Sequence, residues 1–324
     1  MSGDYVVDFW PGNRLSYTTT CIRLYRNDIF LSFATGFCLK FGKAYGLVTN
    51  YHVLSGINPA TEMLLSPTGA IPNRIEFHIA VETEWYEGGK RHEELFFKPL
   101  SIFLEDEEGL PVWFDDRTTR KLNDYAILRL EPYISELLEP GVTLRSILGG
   151  RVALKKGANH PSPGNLKLRH DEVQHFYPPV GERVFVLGYP QGTTSTGVFP
   201  IWKGATIASE PFAAVAFEDV NYDNVFYIDA TTKSGMSGSP VVALGSDNSQ
   251  YFTEDGISIK GKTGEDLLLG VYAGRDGVTK SEYEMSLGRV WKTSSLEALF
   301  VSTIGKIAPI EPRPPRNTDN DVTI

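Results

Sequence analysis

The sequence predicts an all-β fold. Short apolar segments rich in β-forming residues recur along the 324-residue chain and are separated by turn residues. The chain contains 31 glycines and 20 prolines, which many short strands joined by frequent turns require. Hydrophobic residues make up 41% of the chain and aromatic residues 12%, enough for a packed core rather than disorder. The length exceeds that of one ordinary domain and fits two β-lobes.

The first predicted lobe spans residues 18–131 and follows a polar lead-in at residues 1–17. Segments such as TGFCLKF and GLVTNYHVL predict strands. Arg74–Trp85 alternates apolar and polar side chains, which indicates a half-buried strand. The acidic run at 105–109 is typical of a hairpin tip or an insertion. An apolar strand that opens at Asp124 closes the lobe.

A connector at residues 132–177 joins this lobe to a second one at residues 178–304. The run YISELLE at 133–139 favours a short helix at the junction, and SSLEALFV at 294–301 predicts a terminal helix. The proline-rich, charged tail at 305–324 is predicted to be disordered.

The most informative run is TTKSGMSGSPVV, centred on Ser237. Gly235 and Gly238 can take backbone conformations that residues with a Cβ atom avoid. The amides of Gly235 and Ser237 could therefore point at one spot, which is the geometry that holds a developing oxyanion. Alone, the same run also fits a glycine- and serine-rich surface loop.

Two further segments favour the catalytic interpretation. GLVTNYHVL carries His52 and DYAILRL carries Asp124, each at the edge of a predicted strand. A serine hydroxyl is a weak nucleophile until a base takes its proton, and that base needs a carboxylate to orient it. Singly, His52 fits a core histidine and Asp124 a strand cap. Together with Ser237, in this order, they predict a catalytic set, whereas Asp115 and Asp116 lie in a charged stretch less suited to the role.

In these motifs the chain resembles the chymotrypsin-like (trypsin-fold) serine peptidases, and among them the bacterial trypsin-like peptidases related to the Deg proteases. The resemblance covers about residues 18–304 and implies two antiparallel six-stranded β-barrels with the active site in the cleft between them. It assigns His52 as general base, Asp124 as its orienting residue and Ser237 as nucleophile. The matching runs are Thr35–Phe37, Val48–His52, Asp124–Leu128, Gly188–Pro190, Gly235–Pro240 and Gly270–Val271.

One departure from the digestive branch of that family concerns activation. Those enzymes carry an aspartate just before the nucleophile, which pairs with a newly cut N-terminus. Here the position is Met236, and a thioether cannot pair with an ammonium group. We therefore expect no activation by N-terminal processing, and either an active chain or one switched by a loop or by a regulatory protein partner.

The resemblance also points to a specificity pocket. Thr231, six residues before Ser237, corresponds to the pocket base and offers no charge for a lysine or arginine side chain. Val271, Tyr272 and Ala273 are expected to form the pocket wall and the strand that pairs with the substrate backbone. For Tyr272, simple core packing is an equal alternative.

Charge and cysteine content limit the compartment and the partners. The formal net charge of −9 argues against nucleic-acid binding, which a clustered basic surface usually marks. No segment reaches the roughly 18 uninterrupted apolar residues of a membrane span, and the N-terminus lacks the pattern of a secretory signal. Cys21 and Cys38 are the only cysteines, whereas secreted peptidases usually carry several disulfides. We expect a cytoplasmic protein with two free thiols; a disulfide between them is the alternative.

These observations predict a serine endopeptidase that cleaves polypeptide substrates through an acyl-enzyme. No cofactor or metal is expected, because His160, His170 and His175 lack neighbouring cysteines and a tight helical spacing. A catalytically silent peptide-binding module of the same fold is the main alternative, and esterase-like acyl transfer is a third. The chain keeps all three catalytic residue types together with the Gly235 and Gly238 frame, which favours the peptidase.

Overall fold

A computed structural model gives the fold, and β-structure dominates it. The structure describes residues 5–7, 13–118, 121–137, 142–148, 175–217, 220–253, 258–261, 263, 266–275 and 287–303. The predicted tail at 305–324 lies outside the described residues, as do His160 and His170. None of the helices in the described part of the chain has the length and hydrophobicity that a membrane crossing requires.

In the described part of the chain, ten strands belong to the N-terminal half and ten to the C-terminal half. The first ten are β1 (Tyr5–Val7), β2 (Thr19–Arg26), β3 (Ile29–Phe41), β4 (Ala44–Thr49), β5 (Arg74–Glu87), β6 (Lys90–Phe103), β7 (Trp113–Asp115), β8 (Ala126–Arg129), β9 (Val142–Leu144) and β10 (Ile147–Leu148). The others are β11 (Arg183–Gly188), β12 (Ile201–Ile207), β13 (Val215–Phe217), β14 (Val220–Tyr222), β15 (Val225–Asp229), β16 (Pro240–Ala243), β17 (Gln250–Phe252), β18 (Ser258–Lys260), β19 (Leu267–Arg275) and β20 (Leu287–Lys292). The helices are α1 (Tyr51–Ser55), α2 (Glu131–Ile134) and α3 (Thr293–Thr303), with 3₁₀ turns at Arg14–Tyr17, Ser135–Leu137 and Pro190–Gly192.

The first ten strands form one sheet, here called the N-terminal sheet. Its order is β1-β6-β5-β2-β3-β4-β8-β7, with β10 beside β3 and β9 beside β5. Between the end of β6 and the start of β7, the Val112 amide donates to the Leu104 carbonyl oxygen at 3.0 Å, and Glu105 pairs with Pro111 in an isolated bridge. The acidic run at 105–109 is therefore a hairpin tip between β6 and β7, as predicted.

Six of the remaining strands close into a barrel, here called the C-terminal barrel. Its order is β11-β12-β15-β20-β19-β16, and every ladder in it is antiparallel. Two small hairpins, β13–β14 and β17–β18, accompany it. The predicted all-β fold is confirmed, and so is a closed six-stranded barrel in the C-terminal half.

A shared apolar core fixes the two halves against each other. Burying a large apolar side chain stabilises the folded state by about 1.5–3 kcal/mol. This cluster therefore holds the N-terminal sheet against the C-terminal barrel. Helix α3, which confirms the predicted terminal helix, packs Phe300 into it. The buried members include Phe37, Val48, Tyr125 and Ile127 from the N-terminal sheet and its loops, and Leu187, Val242, Val271 and Trp291 from the barrel.

The two cysteines are free, as expected. Cys38 is buried, and Cys21 is half-buried on β2. Burial raises the pKa of the Cys21 thiol to about 11 and that of Cys38 to about 12. Both side chains therefore remain uncharged thiols at neutral pH.

Candidate active site

Two neighbouring strand ends bring His52 and Asp124 together. Strands β4 and β8 are antiparallel neighbours, with Thr49 opposite Ala126. The residues that follow β4 and those that precede β8 therefore lie at the same end of this strand pair. The sequence pattern suggested a strand running into His52, but the strand ends at Thr49 and His52 lies in the five-residue helix α1. Gly56, with a left-handed φ of 69°, follows the helix, at the break that the sequence predicted.

The carboxylate of Asp124 holds His52 at two points. Its Oδ1 accepts the backbone N–H of His52 at 3.0 Å, and its Oδ2 lies 2.7 Å from His52 Nδ1. The Asp124 side chain is 4% exposed and that of His52 is 17% exposed. A carboxylate at Nδ1 selects the tautomer protonated there, which leaves Nε2 free to accept a proton.

A second contact joins the segment before His52 to the backbone of Asp124. The side-chain amide of Asn50, a completely buried residue, donates to the Asp124 carbonyl oxygen at 2.6 Å. The residue two before His52 is thus bonded to the backbone of Asp124. The mutual position of base and carboxylate is set by backbone as well as by side chains.

The two competing aspartates have other partners. Asp115 Oδ1 accepts the Arg117 backbone N–H at 2.9 Å. Asp116 Oδ2 accepts the Tyr125 hydroxyl at 3.0 Å, and burial together with the Asp116 charge raises the pKa of that hydroxyl. Among the described contacts, neither carboxylate reaches His52.

The loop that carries Ser237 needs glycine at two positions. Gly235 has φ 93° and Gly238 has φ 86°, values that residues with a Cβ atom rarely adopt. A Cβ atom at Gly235 would lie 2.4 Å from the Tyr189 carbonyl oxygen, and one at Gly238 would lie 2.0 Å from that of Thr35. Both glycines are therefore required by the fold of this loop.

The orientation of the loop peptides leaves two amides unpaired. The Ser234 carbonyl oxygen accepts the Gln191 N–H at 2.7 Å, and that of Met236 accepts the Ser239 N–H at 3.1 Å. In a trans peptide the N–H points opposite to the C=O, so the amides of Gly235 and Ser237 face away from these anchors. Neither donates a hydrogen bond within the described part of the chain. Both amides are therefore available to donate hydrogen bonds to an oxyanion.

Ser237 itself is half-buried. Within the described residues its hydroxyl makes no hydrogen bond, and none joins it to the His52 ring. Its carbonyl oxygen accepts the Thr35 N–H at 2.9 Å, which ties the loop to β3, the neighbour of the strand that leads to His52. Ser237 and His52 thus belong to segments that adjacent strands of one sheet hold in place.

Sequence reasoning gave Thr35 no individual role. The structure places it at the junction of both halves, with its hydroxyl donating to the Gly235 carbonyl oxygen at 2.8 Å. The same hydroxyl accepts the Tyr189 N–H at 3.1 Å. The available signal was a hydroxyl residue directly before a glycine within an otherwise apolar stretch of β3.

The residues proposed for substrate specificity lie in different environments. Thr231 is exposed and Ala273 is half-buried. Val271 is completely buried in the shared core, and Tyr272 is 1% exposed, with its ring in the barrel core. The Tyr272 hydroxyl shares a hydrogen bond with Thr232. For Tyr272 the core-packing alternative therefore describes its side chain, and the substrate roles of these residues stay predictions.

Met236 is completely buried in the barrel core. Its thioether contacts apolar neighbours, an environment in which an unpaired ammonium group would be strongly unfavourable.

Comparison with known proteins decides the family. A model of the trypsin-like peptidase domain matches residues 34–247, a range that contains His52, Asp124 and Ser237. The chain belongs to this family. The resemblance found in the sequence motifs is thereby confirmed.

Several solved structures are similar to this chain at low sequence identity. Rv3671c from M. tuberculosis H37Rv, crystallised as a serine-to-alanine mutant in an inactive form, is 17% identical, with a TM-score of 0.40 over 91% of this chain and 90% of that chain. A serine endoprotease from Yersinia pestis is 14% identical, with a TM-score of 0.40 over 90% of this chain and 64% of that chain. Deg5 is 15% identical, with a TM-score of 0.37 over 81% of each chain. A search of curated proteins finds no match.

Proposed function

We propose that the protein is a serine endopeptidase that cleaves polypeptides through an acyl-enzyme. The observation that carries the proposal is the buried His52–Asp124 pair, with Nδ1 and Oδ2 2.7 Å apart. The anchored glycine loop beside it supports the same conclusion, because it presents Ser237 and two unpaired amides. The coarse fold of the trypsin-like family is consistent with this chemistry.

In the proposed reaction, His52 Nε2 takes the proton of the Ser237 hydroxyl as Oγ attacks the carbonyl carbon of the scissile peptide. The carbonyl π electrons move to oxygen, where the amides of Gly235 and Ser237 stabilise the negative charge. Collapse of this intermediate breaks the C–N bond, and His52 protonates the departing amine. Water then attacks the ester by the same route and regenerates the hydroxyl. Asp124 stabilises the imidazolium formed in each half-reaction.

A polypeptide substrate would lie in a cleft between two barrels. In this proposal the N-terminal sheet is the first barrel, and the Val112–Leu104 hydrogen bond brings the start of β7, one edge strand, close to the end of β6, the neighbour of the other edge strand. The strand at Val271–Ala273 would pair with the substrate backbone. Thr231 carries no charge, so we propose no preference for lysine or arginine at the cleaved position.

One observation favours a second candidate, a catalytically silent peptide-binding module. The Ser237 hydroxyl and the His52 ring share no hydrogen bond among the described residues. In structures without substrate, however, catalytic hydrogen bonds are often long and tighten only in the complex. The peptidase therefore remains the favoured function.

Cleavage of a mixed peptide library, followed by mass spectrometry, tests the choice. The wild-type protein is expected to generate new peptide termini, and Ser237→Ala to generate none. Ser234→Ala, which alters an exposed side chain in the same loop, is the matched control and should retain cleavage. Binding of peptides without any cleavage that depends on Ser237 would favour the silent module, and hydrolysis of small esters alone would favour acyl transfer.

A further inference from the structure

Thr35 is a completely buried residue of β3, and its side chain crosses from the N-terminal sheet to the loop that carries Ser237. We propose that Thr35 is a positioning residue whose hydroxyl holds the oxyanion-binding amides in their competent orientation. The inference rests on the proposed function, since it concerns the same site. It assigns a specific task to a side chain that the general triad chemistry does not use.

The hydroxyl makes hydrogen bonds to two backbone groups of the C-terminal half. Oγ1 donates its one proton to the Gly235 carbonyl oxygen at 2.8 Å. It also accepts the N–H of Tyr189 at 3.1 Å. A hydroxyl can donate one hydrogen bond and accept others, so serine could replace threonine here, whereas valine could make neither bond.

The first of these bonds orients a peptide group next to the oxyanion site. Gly235 lies between two peptide planes, and its backbone is free to rotate because it has no Cβ atom. The plane before it is held through Ser234, whose carbonyl oxygen accepts the Gln191 N–H. The plane after it is held through its own carbonyl oxygen by Thr35 Oγ1. Without the threonine hydroxyl, the peptide after Gly235 would be free to rotate, which would change the angle between the Gly235 N–H and the Ser237 N–H.

The second bond supports the other anchor. Tyr189 precedes the 3₁₀ turn Pro190–Gly192, in which Gln191 has the unusual left-handed angles φ 53° and ψ 31°. Residues other than glycine adopt this conformation only where surrounding contacts hold it. By accepting the Tyr189 N–H, Thr35 fixes the start of the turn that delivers Gln191 to Ser234. One hydroxyl thus acts on both peptide planes that flank Gly235.

The backbone of Thr35 makes separate contacts that a side-chain substitution preserves. Its N–H donates to the Ser237 carbonyl oxygen at 2.9 Å, and its own carbonyl oxygen accepts the Thr49 hydroxyl at 2.8 Å. Valine has the same branched shape and favours strands. Thr35→Val therefore removes the hydroxyl and leaves β3 and its link to Ser237 in place.

The rate of labelling of Ser237 by a fluorophosphonate probe tests the proposal, with kinact and KI measured separately. Thr35→Val is expected to lower kinact about 100-fold, the scale of a small misplacement of catalytic groups, with KI little changed. Thr35→Ser should restore a rate near that of wild type. Thr293→Val is the matched control, because Thr293 is also buried and its hydroxyl also donates to a backbone carbonyl at 2.8 Å, that of Leu268.

A loss in Thr35→Val no larger than in Thr293→Val would overturn the proposal. So would a Thr35→Ser protein as slow as Thr35→Val, since shape rather than the hydroxyl would then matter. The pH midpoint of kinact should be the same in Thr35→Val and wild type, because the contacts of His52 and Asp124 are untouched. A shifted midpoint would place the effect at His52 and contradict the assigned role.

A folded wild-type protein that does not react at Ser237, either alone or after a partner is added, would instead overturn the proposed function. Hydrogen–deuterium exchange of the backbone amides of residues 231–240 then tests, independently of activity, whether the Thr35 hydroxyl holds this loop. Faster exchange in Thr35→Val, with wild-type exchange in Thr35→Ser, is the expected result. Unchanged exchange in Thr35→Val would show that the hydroxyl does not hold this loop.

Discussion

Gln191 donates its backbone N–H to the carbonyl oxygen of Ser234 at 2.7 Å. This bond fixes the peptide whose opposite side carries the Gly235 N–H, one of the two amides assigned to the oxyanion. The donor residue has a left-handed backbone, so a locally unfavourable conformation is maintained where it orients the candidate catalytic loop.

Two substitutions at Gln191 should distinguish the contribution of its backbone N–H from that of its side chain. Gln191→Pro removes the donor and cannot adopt a positive φ, so we expect a loss of at least about tenfold in probe labelling. Gln191→Gly retains the N–H and accepts the left-handed conformation without strain, and should label at nearly the wild-type rate. Equal rates for the two variants would show that the bond to Ser234 has no part in the reaction.

Replacement of Asp124 should reveal its role in orienting His52. Asp124→Asn is expected to lower turnover about 10⁴-fold, as in the well-studied serine proteases, because an amide favours the wrong histidine tautomer. Asp116→Asn is the control, since Asp116 bonds to Tyr125 rather than to His52. Steady-state kinetics should show less than about a tenfold change for it. An equal loss of turnover in Asp116→Asn would contradict the assignment of Asp124 as the residue that orients His52.

Steric limits at Gly238 should appear as a loss of stability. An alanine Cβ there would lie 2.0 Å from the Thr35 carbonyl oxygen, in addition to the strain of φ 86°. Gly42→Ala isolates the conformational part, because at φ 60° its Cβ would meet nothing within 4 Å. We expect Gly42→Ala to cost about 1–2 kcal/mol of unfolding free energy and Gly238→Ala considerably more. Urea denaturation of both variants measures the difference, and equal losses would contradict the packing described here.

The buried thiols predict a decrease of stability at alkaline pH. Burial raises the pKa of Cys21 from 9.0 to about 11 and that of Cys38 from 9.0 to about 12. Between pH 9 and these values the unfolded chain has lost the thiol protons that the folded chain retains, so stability falls as pH rises. Denaturation between pH 8 and pH 11 should show a steeper fall for wild type than for the double variant Cys21→Ala, Cys38→Ala. Parallel curves would contradict the raised values.

Activation should not require a new N-terminus. Met236 lies in the barrel core and offers no carboxylate for a terminal ammonium group, whose burial without a partner would be unfavourable. We expect the uncut chain to react with the probe, alone or after a partner is added, and removal of the first 12 residues not to increase the rate. Intact mass spectrometry of the labelled protein checks this. Labelling confined to an N-terminally cleaved species would contradict it.

Local pattern was sufficient to predict the strands that frame the site. The apolar segments around Thr35, before His52 and after Asp124 all lie in strands, because alternation and composition there reflect burial within the same segment. Helix α3 was also predictable, since its apolar residues recur with a helical period in one short run.

The features that the sequence did not reveal depend on contacts between distant segments. The helix at His52 follows a strand that ends where Asn50 bonds to Asp124, a partner 74 residues away. The hydroxyl of Thr35 meets Gly235 across 200 residues of sequence. For Tyr272, composition fitted both a pocket wall and the core, and burial in the barrel core together with the bond to Thr232 places its ring. No local pattern encodes such pairings.

Mapping of a fluorophosphonate adduct by tandem mass spectrometry identifies the nucleophile of the protein. We expect one phosphonylated residue, Ser237, in wild type, and no adduct in Ser237→Ala at unchanged thermal stability. An adduct in Ser237→Ala at the wild-type rate, or on another serine of the wild-type chain, would contradict the claim that Ser237 is the nucleophile.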